Sequence, residues 1–197
     1  ESLRARTNKP LLDVLEANGC SVDSRQGHLP LSIKGPITPK HSMIIDGSIS
    51  SQYVSALLIL SVGLNEPIVR TLHVTGQLVS KPYIDITLNE MAKRGVRANW
   101  ADKAKIEIES NEYFKADEVA IEGDATAATY SSALACIHQG RVTFTNLGKN
   151  THQGDFKFFE LLEQLGAKIQ KTEHTTSVVG PAQLNALATV DMTDMPD

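Results

Sequence analysis

The sequence predicts a mixed α/β fold built from about two and a half copies of one supersecondary unit. Three observations carry this expectation. The segments Leu15-Glu16-Ala17-Asn18-Gly19-Cys20, Met91-Ala92-Lys93-Arg94-Gly95-Val96 and Leu162-Glu163-Gln164-Leu165-Gly166-Ala167 repeat one device: an amphipathic helix end, a glycine cap and the start of a strand. They recur about 75 residues apart, which is too long for a solenoid and suits duplicated α/β units. Tyr53-Val54-Ser55-Ala56-Leu57 and Tyr130-Ser131-Ser132-Ala133-Leu134 recur at similar spacing, one helix earlier in each unit. Their small residues predict a tightly packed inner helix, with a more charged helix outside. Short β-rich runs separate these helices, so the helices gather on one side of sheets.

Taken in order, apolar positions 11, 12, 14 and 15 predict a helix over Pro10–Asn18 that Gly19 closes. Strands follow at Cys20–Asp23, Leu29–Lys34 and Ser42–Ile45. A helix starts at Ser50 and runs through Val62, and Ile68–Val74 reads as a strand. Lys81–Arg94 is a second helix, with Pro82 tolerated in its first turn and Gly95 ending it. Lys103–Glu109 alternates Ile106 and Ile108 with charged neighbours, the pattern of a half-buried strand. Val119–Ile121 is a short apolar run. Ala125–His138 is a small-residue helix, Arg141–Thr145 a strand, Phe156–Leu165 a helix and Thr176–Val179 a strand. Gly123, in Glu122-Gly123-Asp124, marks either a domain crossing or a plain strand-to-helix turn.

The bulk properties narrow the function. With 19 Lys+Arg against 23 Asp+Glu the net charge is −4, and no basic run offers a nucleic-acid footprint. An anionic ligand must then be held by local donors rather than by the overall field. Cys20 and Cys136 lie outside any metal or redox spacing and are expected as reduced, buried thiols, consistent with a cytoplasmic location. The longest apolar run, Val54–Leu64, is too short to span a bilayer and no leader precedes it, so no membrane partner is expected. The chain opens on Glu1 and stops on Asp197, the look of a piece cut from a longer polypeptide.

The candidate chemistry lies at helix starts. Asp46-Gly47-Ser48-Ile49-Ser50-Ser51-Gln52-Tyr53 places hydroxyls and an amide where unpaired N–H groups and a partial positive charge favour a phosphate. Gly76-Gln77-Leu78-Val79-Ser80-Lys81-Pro82-Tyr83 is a second such start, with Ser80 at the N-cap position and Lys81 and Tyr83 offering a cation and a phenol. Two starts in repeated units can converge on one anion. Gly148-Lys149-Asn150-Thr151-His152-Gln153-Gly154-Asp155 reads as a long turn with His152 on a surface loop. Asp191, Asp194 and Asp197 form a spaced acidic run; Met195-Pro196 restricts the backbone before Asp197, which then suits a general base on a hydroxyl. Dinucleotide and P-loop glycine motifs are absent, and no His/Cys/carboxylate set has metal spacing.

On these residues the chain resembles the 5-enolpyruvylshikimate-3-phosphate synthase (3-phosphoshikimate 1-carboxyvinyltransferase) family. The likeness runs in order through Asp46–Tyr53, Leu78–Asp85, Glu122–Ala125, Gly148–Asn150, Gln153–Asp155, Leu165–Ala167, Asp191-Met192 and Pro196-Asp197. It implies repeated βαβαββ units with helices inside and parts of two domains: 1–121 in the N-terminal, shikimate-phosphate-binding domain and 122–197 in the C-terminal one. It also implies transfer of the enolpyruvyl group of phosphoenolpyruvate to the 5-hydroxyl of shikimate 3-phosphate, releasing phosphate, in a monomer without metal or organic cofactor. Ser50, Ser51 and Ser80 would hold the substrate phosphate, Gln52 would contact both substrates, Tyr83 the shikimate side, and Asp197 the 5-hydroxyl. Where the family usually has Arg before the proline matched to Pro10, this chain has Lys9. Lys9 keeps the charge without the bidentate fork, or Arg6 or Arg4 reaches phosphoenolpyruvate after a local insertion. Further phosphoenolpyruvate-site segments of the family would lie before Glu1 and after Asp197, so the 197 residues alone are expected not to turn over. A UDP-sugar enolpyruvyl transferase and a non-catalytic sugar-phosphate-binding module are the alternatives. The first uses a loop cysteine, and Cys20 and Cys136 read as lying in regular elements.

Overall fold

The three glycine devices close in the same way. In the computed structural model, which describes residues 2–38, 40–64, 70–109, 118–192 and 195, Gly19, Gly95 and Gly166 take φ of +94°, +82° and +101°. The glycine N–H donates to the carbonyl three residues back (Glu16, Ala92, Glu163) at 3.0 Å in each case. The following N–H donates to the carbonyl five residues back (Leu15, Met91, Leu162) at 3.0, 3.1 and 2.9 Å. This is the Schellman pairing, which satisfies the orphan carbonyls of the helix end and turns the chain into a strand. A Cβ in left-handed backbone costs about 1–2 kcal/mol. Gly95→Ala is therefore expected to lower the unfolding free energy by about that amount in urea denaturation; an unchanged midpoint and slope would contradict the assignment.

Helix α1 (Ser2–Ala5) and helix α2 (Lys9–Ala17) lead into an antiparallel hairpin of β1 (Ser21–Arg25) and β2 (His28–Lys34). Next comes a whole βαβαββ unit: β3 (Ser42–Asp46), α3 (Ser51–Gly63), β4 (Arg70–Thr75), α4 (Lys81–Ala92), β5 (Arg97–Asp102) and β6 (Lys105–Glu109). Its sheet order is β3-β4-β6-β5, with β3 parallel to β4 and β6 antiparallel to both its neighbours. The last stretch holds α5 (Ala125–Ile137), β7 (Arg141–Phe144), a 3-10 turn (Gly154–Lys157), α6 (Phe158–Gln164), β8 (Lys168–Lys171) and β9 (Thr176–Val179). Its order β7-β9-β8 repeats the β4-β6-β5 arrangement.

The chain divides into two compact units, Glu1–Ala116 and Asp117–Asp197. The sequence-predicted crossing at Glu122–Gly123 lies a few residues further on, where the Gly123 N–H donates to the Asn146 carbonyl at 2.5 Å. In the first unit, Met43 and Ile45, Leu72 and Val74, Ala98, and Ile106 and Ile108 alternate inward from one sheet face. They meet Val54, Leu57 and Leu58 of α3 and Ile84, Leu88 and Met91 of α4, which lie on that face. Arg70, only 1% exposed, donates to the Ser61 carbonyl at 3.0 Å and the Leu64 carbonyl at 3.4 Å, answering acceptors left at the end of α3. The second unit packs Phe159, Leu162, Leu147 and Val178 against Ala125 and Ala128.

Several expectations shift. The apolar run Val119–Ile121 is neither buried nor in a strand: Val119 and Ile121 are exposed, and the Asn146 side-chain amide donates to the Ile121 carbonyl. The strand expected from Ile68 is seen from Arg70, since Ile68 and Val69 lie outside the described residues. The helix expected over Phe156–Leu165 begins as a 3-10 turn at Gly154. The Tyr-x-Ser-Ala-Leu-like repeat is out of structural register. Buried positions 51, 54, 58 and 61 of α3 correspond to 125, 128, 132 and 135 of α5, so Ser51 matches Ala125 and the two tyrosines do not match each other. Tyr53 is half-buried and donates to the Thr7 carbonyl, whereas Tyr130 is exposed.

Candidate functional site

Because β3 and β4 are parallel with Asp46 opposite Thr75, the chain leaves both strands at the same edge of the sheet. The loops into α3 and α4 start there and are joined to each other. Gly47 N–H donates to the Thr75 carbonyl at 3.0 Å, and Val79 N–H donates to the Gly47 carbonyl at 3.2 Å. One helical layer further along, Ser55 Oγ and Thr87 Oγ1 are 2.9 Å apart. One turn earlier on the two helices stand Ser51 and Tyr83. The two helix N-termini, each a source of unpaired N–H groups and partial positive charge, are thus neighbours.

Ser50 caps α3: its Oγ accepts from the Gln52 N–H at 3.2 Å, which leaves its own hydroxyl hydrogen to donate elsewhere. Ser51 is the first residue of α3 and is buried, at 5% exposure, while Gln52 is exposed. Ser80 occupies the N-cap position of α4 but its side chain makes no capping bond. Its backbone is left-handed (φ 51°, ψ 44°), Pro82 has no N–H to offer, and the Tyr83 N–H goes to the Ser80 carbonyl at 3.2 Å. The expected capping role gives way to a hydroxyl not spent on its own helix. Gln26 and Gln139 share this left-handed backbone with Ser80. Tyr83 is half-buried in the first turn of α4.

Lys81 is engaged within its own helix and with the neighbouring strand. Its ammonium is 2.7 and 2.8 Å from the Asp85 carboxylate and 4.9 Å from the Trp100 ring centroid, and Trp100 Nε1 donates to Asp85 at 2.8 Å. Lys9 opens α2, is exposed and pairs with Asp13 at 2.7 Å. Its own N–H donates to Thr7 Oγ1 at 3.2 Å, and Thr7 is held to the first turn of α3 by Tyr53. Lys9, Lys40, Asp46 and Ile49 line a cavity of about 620 Å³ beside the β3–α3 loop. Arg4 and Arg6 are exposed. Asp197, the expected base, and Asp194 lie outside the described residues, while Asp191 is exposed.

Asp46 and Gly76 have a part that sequence reading missed. The Asp46 carboxylate accepts from the Ser48 N–H at 2.9 Å, and hydrogen bonds from Ser48 hold its pKa below the ordinary carboxylate value. Gly76, at φ +73°, stands so close that a Cβ there would be 2.6 Å from Asp46 Oδ1. The Asp-Gly-Ser run was a legible signal for such an Asx turn.

The corresponding helix start of the second unit is filled by the chain itself. Ala125 N–H donates to Gln153 Oε1 at 2.7 Å, and Gln153 Nε2 donates to the Gly123 carbonyl at 2.7 Å. Thr126 donates to the Asp155 carboxylate, whose Oδ1 is buried without a hydrogen-bond partner among the described residues. His152 is exposed, as expected for a surface loop. Cys136 is buried, and that burial pushes its thiol pKa up; Cys20 is only half-buried and stands between α2 and β1, against the expectation of two buried thiols. Among the described residues no His/Cys/Asp/Glu group has the makings of a metal site, and no helix is long and apolar enough to cross a membrane.

Comparison with known proteins gives this architecture its class. Over 91% of its length the chain matches the structure of EPSP synthase from Acinetobacter baumannii with a TM-score of 0.62 at 17% identity, covering 40% of that chain. The enolpyruvyl transferase NikO from Streptomyces tendae matches over 92%, also with a TM-score of 0.62 at 17% identity, with 44% of it covered. The fold is that of the enolpyruvyl transferases. The family model of EPSP synthase (3-phosphoshikimate 1-carboxyvinyltransferase) matches residues 1–197, and the chain belongs to that family. It is 35% identical over 190 residues to 3-phosphoshikimate 1-carboxyvinyltransferase from Pseudoalteromonas atlantica, a match covering 95% of this chain and 43% of that protein. The chain thus spans less than half the length of the curated relatives it matches, a share of 44% in other bacterial examples.

Proposed function

We propose that this chain carries the shikimate-3-phosphate half of an enolpyruvyl transferase site, in which the enolpyruvyl group of phosphoenolpyruvate passes to the 5-hydroxyl of shikimate 3-phosphate with release of phosphate. The observation that supports it most is the pairing of two helix starts at one sheet edge, with Ser51 and Tyr83 one turn from the Ser55–Thr87 contact and Ser80 not spent on capping. In this reading Ser50, Ser51 and Ser80 donate to the phosphate together with first-turn N–H groups, so the anion is held by neutral dipoles. Gln52 extends its exposed amide to both substrates and Tyr83 lies against the shikimate side. Lys9, released from Asp13, meets phosphoenolpyruvate, and Asp197 takes the proton of the 5-hydroxyl. Residues 1–121 belong to the shikimate-phosphate-binding domain and 122–197 to its C-terminal companion; the protein works as a cytoplasmic monomer without metal or organic cofactor.

Calorimetric titration tests the reading. Shikimate 3-phosphate is expected to bind at least ~100-fold more tightly than shikimate, since two or more charge-assisted hydrogen bonds of about 1.5–3 kcal/mol depend on the phosphate. Equal affinity for the two would contradict it.

A further inference from the structure

We infer that Asp46 is a positioning residue for substrate phosphate: its carboxylate, clasped between the Ser48 N–H and Gly76, sets the spacing of the two helix tips that the proposed function brings to one phosphate. The inference rests on that proposed function and adds a residue that does not itself touch the ligand.

Asp46 is the last residue of β3, and its side chain holds Ser48 at 2.9 Å, fixing the path from the strand to Ser50 and Ser51. The same carboxylate packs where a Cβ of residue 76 would stand, and a Cβ on Gly76 would also come within 3.2 Å of Ser48 Cβ. Gly76 begins the loop that ends at Ser80. Between the two loops run the Gly47–Thr75 and Val79–Gly47 backbone bonds, at 3.0 and 3.2 Å. Gly47 is itself crowded: a Cβ there would be 2.6 Å from Val74 Cγ1 and 3.0 Å from Leu78 Cδ1. The two loops therefore form one close-packed body, with the Asp46 carboxylate holding Ser48 in one loop and lying against Gly76 in the other. Multipoint recognition of a tetrahedral anion loses steeply when donors shift by an ångström, so a residue that sets donor spacing affects affinity through others.

The exposure of Asp46 separates positioning from stability. Its side chain is not part of the hydrophobic core, so removing it acts on the loops first. Asp46→Ala loses both the Ser48 clasp and the contact with Gly76. Asp46→Asn keeps an oxygen acceptor of the same shape for the Ser48 N–H. Gly76→Ala leaves Asp46 in place but drives the two loops apart.

The test measures shikimate 3-phosphate and shikimate affinities by calorimetry for the native chain, Asp46→Ala, Asp46→Asn, Gly76→Ala and Ser51→Ala, with thermal melting of each free protein. The expected result is a loss of at least tenfold for shikimate 3-phosphate in Asp46→Ala and Gly76→Ala. Asp46→Asn should stay within threefold of native, and shikimate affinity should be unchanged throughout. If Asp46→Ala fails to fold, Asp46→Asn and Gly76→Ala decide alone: a Gly76→Ala affinity equal to native overturns the inference. Native-like binding in Asp46→Ala beside weakened binding in Ser51→Ala also overturns it, and leaves the proposed function standing. Native-like binding in Ser51→Ala overturns both.

Discussion

Ser51→Ala and Ser80→Ala are each expected to weaken shikimate 3-phosphate binding by about 1.5–3 kcal/mol, or roughly 10- to 150-fold, the range for hydrogen bonds to a charged group. The two serines come from different helix starts, and each loss removes one donor from the phosphate. Lys81, the nearest lysine in sequence, is held by Asp85 at 2.7 Å and lies over Trp100. Lys81→Ala is the control, with affinity within twofold of native; a large loss there would mean that the ammonium swings to the ligand. The double variant Ser51→Ala/Ser80→Ala should lose less than the sum of the two, because both hydroxyls address one phosphate and neighbouring sites couple. Unchanged affinity in both single variants would reject the site.

Phe159→Ala is the substitution expected to harm folding most, by about 3–5 kcal/mol for a buried aromatic reduced to a methyl group. Phe159 is fully buried in the second unit, with Phe156 at 5.0 Å and Phe144 at 6.0 Å between ring centroids. Its fully buried neighbours Leu147, Leu162 and Val178 meet alanines from α5 rather than leucines. A unit so small cannot close over the space that the ring leaves. Chemical denaturation should show the transition of the 117–197 unit moved to lower denaturant; an unfolding free energy within about 0.5 kcal/mol of native would show that the ring is not the centre of that core.

The elements easiest to read from sequence were those fixed by local stereochemistry. Helix–Gly–strand devices at Gly19, Gly95 and Gly166 are legible because only glycine takes the required left-handed backbone at no cost, and all three do. The alternation of Ile106 and Ile108 likewise predicts one buried sheet face. Three-dimensional partners decided the rest. Arg70, unremarked within an expected strand, is buried where the end of α3 presents carbonyls that need donors. Ser80 reads as a helix cap, but a proline two residues on removes the bond that would make it one. The tyrosine-serine repeat matches by letters while the helices that carry it are buried in a frame shifted by a turn. At the site, the hydroxyl types were visible in the sequence, whereas the clasp at Asp46 and the internal plug by Gln153 and Asp155 depend on loops meeting across the sheet edge.

One helix tip, the start of α5, is occupied by the chain's own Gln153 amide and Asp155 carboxylate; the paired tips of α3 and α4 present serines at a sheet edge with no such occupant among the described residues. A crystal structure of the protein with shikimate 3-phosphate is the decisive measurement. Phosphate oxygens are expected within roughly 2.5–3.2 Å of Oγ of Ser51 and Ser80 together, the ordinary hydrogen-bond range. A phosphate bound to Lys9 and Lys40, or touching one helix tip alone, would contradict it.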